Sequence, residues 1–353
     1  MILVVGVLLG TATFYAYSLN TALGAVAVED FDPVAARVAI ETQPAPPTTT
    51  AELDIEIEEP GLTLEDELQA IESTLGQKVD PREIYPTVFG EPIDDSEFES
   101  YLLVGTDASG FLADTIIYAL QPIGGGTPIM VSLPRDLYVW NLCKQRFTRL
   151  NTGLGGCNGR ASGSELLAIM VEDYTGIPVD HLARINFDGF ARMVDVMGGI
   201  TVCVDAPSRD AKSHLEIEEP GCQNVGGETA LAWVRSRHLE QLVGEEWVTV
   251  GGSDFGRQSR QQDVLFQLAN RAAAFSSPAS LVDRLSTVAS FVRLDSSWSF
   301  GQAVSTGWKY RGISKSNVKR FSISVSNFRS PQGAAVLLPR VTFTSQLSDV
   351  YDL

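Results

Sequence analysis

The sequence predicts an α/β fold: a single three-layer α-β-α domain with a central mixed sheet, preceded by an N-terminal transmembrane segment and an acidic linker. Three observations predict it. Short apolar runs bounded by Gly, Pro and Asp recur after residue 100, as expected of strands buried on both faces. They alternate with segments whose apolar residues fall at helical spacing, the pattern of helices packed on a sheet. Charge is lopsided: the first hundred residues hold 3 Lys/Arg against 20 Asp/Glu, whereas the remaining 253 hold 23 against 24.

Residues 1–28 contain no charged side chain, the first being Glu29, and the run is about long enough to span a bilayer. A transmembrane anchor is one reading. A cleavable signal peptide is the other, because Ala25-Val26-Ala27 has the small-x-small form of a cleavage site. Both export the remainder of the chain, so the expected placement is the cell membrane, single-pass, with the domain outside the cytoplasm. Residues 29–99 read as an acidic extracytoplasmic linker, and Gln43-Pro44-Ala45-Pro46-Pro47-Thr48-Thr49-Thr50 within it reads as an extended spacer. Apolar residues at helical spacing from Leu62 to Leu75 predict a short amphipathic helix in that linker.

The body, residues 100–353, yields strands at Tyr101–Gly105, Thr115–Leu120, Ile129–Leu133, Leu182–Phe187, Ile200–Val204, Arg320–Val325 and Ala334–Leu338. Helices are predicted at Ser164–Tyr174, Gly189–Met197, Glu228–Arg237, Arg257–Phe275, after Ser277-Pro278, and at Phe300–Lys309. The body lacks the cationic excess that releases counterions from a phosphate backbone, which argues against a nucleic-acid partner.

Cys143, Cys157, Cys203 and Cys222 form two local pairs and none stands in C-x-x-C spacing. Pairing of Cys143 with Cys157 and of Cys203 with Cys222 is expected, each closing a short loop worth about 3 kcal/mol. Four reduced cysteines are the alternative. Zinc fits poorly, because His181, His214 and His238 are spread without ligand spacing.

Polar residues gather at strand ends in three places, the usual location of a site in a sheet-centred domain. In the first, Asp107 and Asp114 end one strand and begin the next. Two such carboxylates suit Mg²⁺, which takes few carboxylates and keeps the rest of its shell for phosphate and water; an Asx-turn or capping role for each is the ordinary alternative. In the second, Ser132-Leu133-Pro134-Arg135-Asp136 holds Arg135 where its fork can meet phosphate oxygens or pair with Asp136, and Arg149 of Arg149-Leu150-Asn151 adds another cation. The third comprises Arg235-Ser236-Arg237-His238 and Asp254 to Gln262. There Arg257, Arg260 and Gln261 share one helix face near a positive N-terminus, as a pyrophosphate cradle or as a solvated face. No G-x-S-x-G, H-E-x-x-H or Walker A motif is present.

Taken in order, these residues resemble the LytR-CpsA-Psr family of membrane-anchored envelope phosphotransferases. The matching pieces are Leu102 to Asp107, Ala113-Asp114-Thr115, Ser132 to Asp136, Arg149-Leu150-Asn151, Asn186 to Phe190, Val194 to Gly199, Ala230 to His238 and Asp254 to Gln262, within a motif core of residues 101–271. The resemblance implies transfer of a glycopolymer phosphate from a polyprenyl-pyrophosphate carrier onto peptidoglycan at the outer face of the cytoplasmic membrane, aided by Mg²⁺. It places the metal on Asp107 and Asp114 and the pyrophosphate on Arg135, Arg149, Arg235, Arg237, Arg257 and Gln261, with Arg260 and Gln262 in the same motif. Arg135 and Asp107 are the implied catalytic residues.

The chain departs from the family pattern in three places. Ala108-Ser109 and Leu112-Ala113 stand where arginines are usual, Leu239 to Gly252 lengthens a connection, and Arg149 occupies a position that is typically lysine. The missing arginines leave open a second reading, a polyprenyl-phosphate-binding or scaffolding protein of the envelope without turnover. Transcriptional attenuation, attached to the family by name, finds no helix-turn-helix signature here.

Overall fold

The computed structural model describes residues 26–43, 80–94, 96–107, 109–250 and 254–352. In chain order the elements are β1 (Ala27–Glu29), α1 (Pro33–Thr42), α2 (Pro81–Ile84), β2 (Phe98–Thr106), β3 (Ala113–Pro122), β4 (Ile129–Ser132), β5 (Tyr138–Asn141), β6 (Arg146–Arg149) and α3 (Gly163–Thr175). Next come β7 (His181–Asn186), α4 (Phe187–Val196), β8 (Ile200–Val204), β9 (Ser208–Asp210), β10 (Leu215–Ile217), β11 (Gly221–Val225), α5 (Gly227–Arg235), β12 (Glu240–Val243) and β13 (Glu246–Thr249). The chain continues through α6 (Asp254–Ala272), α7 (Pro278–Ser286), β14 (Val292–Asp295), α8 (Phe300–Lys309), β15 (Lys319–Ser322), β16 (Val325–Arg329), β17 (Ala335–Pro339) and α9 (Phe343–Ser348). Where one domain is expected, the chain gathers into two compact units: Met1–Asp30 with Val104–Ala108 and Ala183–Val318, and Phe31–Leu103 with Ser109–Leu182 and Lys319–Leu353.

In the second unit the strand order is β2-β3-β4-β15. Strands β3 and β4 are antiparallel, with Ile117 opposite Ser132 and Leu120 opposite Ile129. Strand β15 lies parallel to β4, so the sheet is mixed. Helix α3 starts at a capping box in which Ser162 and Glu165 satisfy each other's main-chain N–H. Leu166 through Val171 are all buried, as expected of a helix that is apolar all round. It ends at Gly176, with φ 75°, where an added Cβ would stand 1.9 Å from the Glu91 carbonyl oxygen.

Both ends of the stretch expected as a spacer carry structure. Asp32 caps α1 by accepting from the Ala35 N–H, and its own N–H donates to Glu165. Arg37 of α1 pairs with Glu172 at 3.3 Å and Asp173 at 2.8 Å on α3. Apolar residues at helical spacing, among them the buried Ala36 and Ile40, give this acidic stretch a face to pack. The Leu62–Leu75 helix and residues 1–25 of the apolar run lie outside the described residues. Among the described residues no helix is long and apolar enough to cross a membrane.

In the first unit β1 lies parallel to β14, which is antiparallel to β7. Glu29 on β1 pairs with Arg184 at 3.4 Å and Arg293 at 3.6 Å. A core of Val194, Ile200, Val202, Val204, Leu215 and Ile217 continues through Val225, Ala230, Ala232, Val234, Leu239 and Val264. This core of its own is why residues 183–318 gather separately. The lengthened connection Leu239 to Gly252 is largely a hairpin: β12 and β13 pair with Leu242 opposite Trp247. Gly244, at φ 68°, takes the first of its two turn positions, where a positive φ suits the strand twist.

Both expected disulfides are present. Cys143 joins Cys157 with Cα atoms 5.6 Å apart, and Cys203 joins Cys222 at 4.0 Å. The second links directly opposite residues of the antiparallel pair β8–β11.

Candidate functional site

The site residues fall into two groups, one in each unit. In the second unit, β4 delivers the chain into Pro134-Arg135-Asp136, and the buried Leu133 and Leu137 fix this turn to the core. Main-chain bonds hold it: Leu133 N–H donates to Ile116 and Asn151 N–H to Arg135. Charges alternate along the turn. Arg135 Nη1 pairs with Asp114 Oδ1, Arg135 Nε lies 3.5 Å from Asp136 Oδ2, and Arg149 Nε lies 3.4 Å from Asp136 Oδ1. Arg149 Nη2 also donates to the Ala335 carbonyl at 2.9 Å. The side chains of Arg135, Asp114 and Asp136 are 22–28% exposed and that of Arg149 is 40% exposed, so all four remain reachable from solvent.

The first unit carries Asp107, half-buried just beyond β2. It also holds the junction between α5 and the β12 hairpin. Arg235 ends α5 exposed, its guanidinium 4.4 Å from the Phe187 ring centroid. Ser236 is fully buried, and Arg237 comes next, half-buried. On α6, Arg257, Gln258, Gln261 and Gln262 are buried, between 4 and 8% exposed.

Two of the predicted cradle residues serve the main chain. Arg260 donates from Nε to the Trp233 carbonyl at 3.1 Å and from Nη2 to the Ser236 carbonyl. Gln261 Nε2 donates to the Val234 carbonyl at 3.3 Å. These carbonyls belong to the last turn of α5 and its cap, where the helix has no further N–H to offer them. Burial and the neighbouring Arg257 guanidinium push Arg260 below the ordinary arginine range.

Sequence reasoning missed Asp210. This carboxylate, 1% exposed, accepts at Oδ2 from the Ser236 hydroxyl at 2.7 Å, the Arg237 N–H at 2.9 Å and the His238 N–H at 2.8 Å. Its Oδ1 accepts from the N–H groups of Lys212 and Ser213. Burial works to raise its pKa, but the bonds from His238, Ser236, Lys212 and Arg237 outweigh that and bring it down to about 2. An Asx-turn onto Lys212 is legible in the sequence; the reach to residues 236–238 is not.

Among the described residues no group of three or more His, Cys, Asp or Glu gathers in a way that could hold a metal ion. Mg²⁺ asks for less, one or two carboxylates completed by substrate phosphates and water. Asp114 is partly exposed, and its Oδ1 is engaged by Arg135.

The LytR_cpsA_psr family profile matches residues 65–346 of this chain. LcpB of Corynebacterium glutamicum, described as a probable cell wall biosynthesis protein, is 32% identical over 205 residues, 53% of this chain and 44% of LcpB. TagU of Bacillus subtilis, a polyisoprenyl-teichoic acid–peptidoglycan teichoic acid transferase, is 30% identical over 198 residues, 55% of this chain and 58% of TagU. The chain thus spans about half the length of these curated relatives. A LytR-Csp2A-Psr enzyme from Actinomyces oris, 24% identical, superposes with a TM-score of 0.57 over 74% of this chain and 95% of that one, a likeness of fold.

Proposed function

Because the chain belongs to the LytR-CpsA-Psr family, we propose that it transfers a glycopolymer phosphate from a polyprenyl-pyrophosphate carrier onto peptidoglycan during cell-wall assembly, anchored in the membrane with this domain outside. The name of TagU, which joins a polyisoprenyl-teichoic acid donor to peptidoglycan, supports the reading. The observation that carries it is the guanidinium of Arg135, set at the end of β4 against Asp114 Oδ1 and able to offer the same fork to a phosphate oxygen.

In this reading a sugar hydroxyl of the acceptor attacks the phosphorus next to the glycan. A new P–O bond forms, the bridging bond to the lipid phosphate breaks, and polyprenyl phosphate leaves. Arg135, Arg149, Arg235, Arg237 and Arg257 are the cations this reading assigns to the pyrophosphate charge. Arg260 and Gln261 act one step back, on the carbonyls that end α5. Asp107 and Asp114 would hold Mg²⁺, which when bound neutralises charge on the phosphate oxygens. Asp107 is also the candidate to accept the hydroxyl proton.

The test is transfer of a short glycan from a synthetic polyprenyl-pyrophosphate donor onto peptidoglycan fragments, with and without Mg²⁺, by the native chain and by Arg135→Ala. Metal-dependent transfer lost in the variant is expected. Tight donor binding without transfer under either condition would overturn catalysis in favour of a carrier-binding protein. Leu112, exposed at 47% in one of the positions where the family's arginines are usual, favours that second reading.

A further inference from the structure

Three successive donors, the Ser236 hydroxyl and the N–H groups of Arg237 and His238, converge on one oxygen of Asp210. Consecutive donors bent around a single anion normally form a nest for a bound ligand, and here the protein's own carboxylate occupies it. Ser236 is held from its other side as well, since its carbonyl accepts from Arg260. Arg235, exposed at the end of α5, and Arg237, half-buried, stand on either side of the fully buried Ser236. The main chain that carries both arginines is therefore held where Ser236 is pinned. Phe187 completes the placement by packing its ring against the Arg235 guanidinium.

We propose that Asp210 is a positioning residue for anion binding, a buried carboxylate that fixes the Arg235–His238 turn so that Arg235 and Arg237 are presented together to the donor pyrophosphate. The proposal rests on the reading of those two arginines as pyrophosphate ligands. It asks for a carboxylate rather than any polar group. Asparagine has one acceptor oxygen for five donors and would turn an –NH₂ towards some of them. Asp210 also lies close enough to Arg260 to favour that guanidinium's charged form, which links the two sides of the Ser236 clamp.

The test uses the full chain and geranylgeranyl pyrophosphate as probe, with Kd from calorimetry and folding checked by circular dichroism. Asp210→Asn and Arg237→Ala are each expected to weaken binding at least about tenfold, the loss of a charge-assisted contact. The double variant should lose clearly less than the product of the two single losses, because Asp210 acts in part through Arg237. Losses that multiply in the double variant, or a Kd for folded Asp210→Asn within about twofold of native while Arg237→Ala loses binding, would overturn the proposal. Should Asp210→Asn not fold, Ser236→Ala decides: it keeps the carboxylate and removes one bond, so about a threefold to tenfold loss supports the role and an unchanged Kd overturns it. Unchanged binding in both Arg235→Ala and Arg237→Ala is a different failure, that of the pyrophosphate reading itself.

Discussion

Arg135 Nη1 and Asp114 Oδ1 hold each other across 21 positions of sequence, a guanidinium assigned to phosphate and a carboxylate assigned to metal joined in one ion pair. With Asp114 holding the proposed Mg²⁺, Arg135 Nη1 would be left to offer its N–H to phosphate. The two expected ligands are then coupled.

That coupling sets the behaviour of Asp114→Asn. Without the carboxylate, Arg135 Nη1 is released while its Nε keeps Asp136, so metal-free binding of a polyprenyl pyrophosphate should tighten about threefold to tenfold while Mg²⁺-dependent transfer falls at least about tenfold. Calorimetry with and without Mg²⁺, beside a transfer assay, reads both. Equal weakening of binding in the two conditions would sink the coupling.

Removing the guanidinium acts directly on the reaction. Arg135→Ala should lower kcat about 100- to 1,000-fold, the usual effect of deleting one donor aimed at developing charge. Arg135→Lys should recover little of it, because a point charge replaces a planar fork. Steady-state kinetics on the two variants distinguishes a loss in kcat from a loss in KM alone.

Asp210 carries a pH signature. Its carboxyl titrates at about 2 in the fold, against about 3.9 in an unfolded chain. A depressed acid contributes stability that is full above the unfolded value and lost as pH falls through the folded one. The contribution, about 2 kcal/mol, should thus be complete above about pH 4 and disappear towards pH 2. Urea midpoints of the native chain and Asp210→Asn, compared from pH 6 to pH 2, should converge at the acid end; a gap that stays constant would contradict the assignment.

Helix α1 belongs to the fold energetically as well as geometrically. Burial lifts the Asp173 carboxyl above its ordinary range, and Arg37 pulls it partly back. Arg37→Ala strands that carboxylate and should destabilise the second unit by about 1–3 kcal/mol. Chemical denaturation followed by a probe in that unit measures it, and no change would mean that residues 31–43 are a dispensable arm.

The elements legible in the sequence share a local cause. Ile129–Ser132 and Ile200–Val204 are short apolar or β-branched runs between turn residues, and each stands where it is predicted. Ser162 with Glu165 and Ser299 with Gln302 are capping boxes written within four residues of chain. What stayed hidden depends on partners distant in sequence or on disguise. Ala27–Glu29 reads as the tail of an apolar run until β14 arrives beside it, and Glu246–Thr249 reads as loop because its acidic start masks the β-branched residues Val248 and Thr249. In the site, the arginines were legible as residue types. Their division of labour was not: Arg260 and Gln261 are committed to carbonyls that come within reach only once α5 and α6 pack.

The bond from Arg149 to the Ala335 carbonyl gives chain cleavage an effect at a distance. Gly333 sits in an exposed turn at φ 82°, just before the strand that supplies this carbonyl. A protease that nicked the turn would sever no motif residue. It would leave Ala335–Pro339 held by its pairing with β16 and by the Leu337 N–H on the Asp136 carbonyl, and release of that strand would take away an anchor of a guanidinium 186 positions earlier. Clipping at this turn would thus loosen one hold on the arginine while its pairing with Asp136 stays.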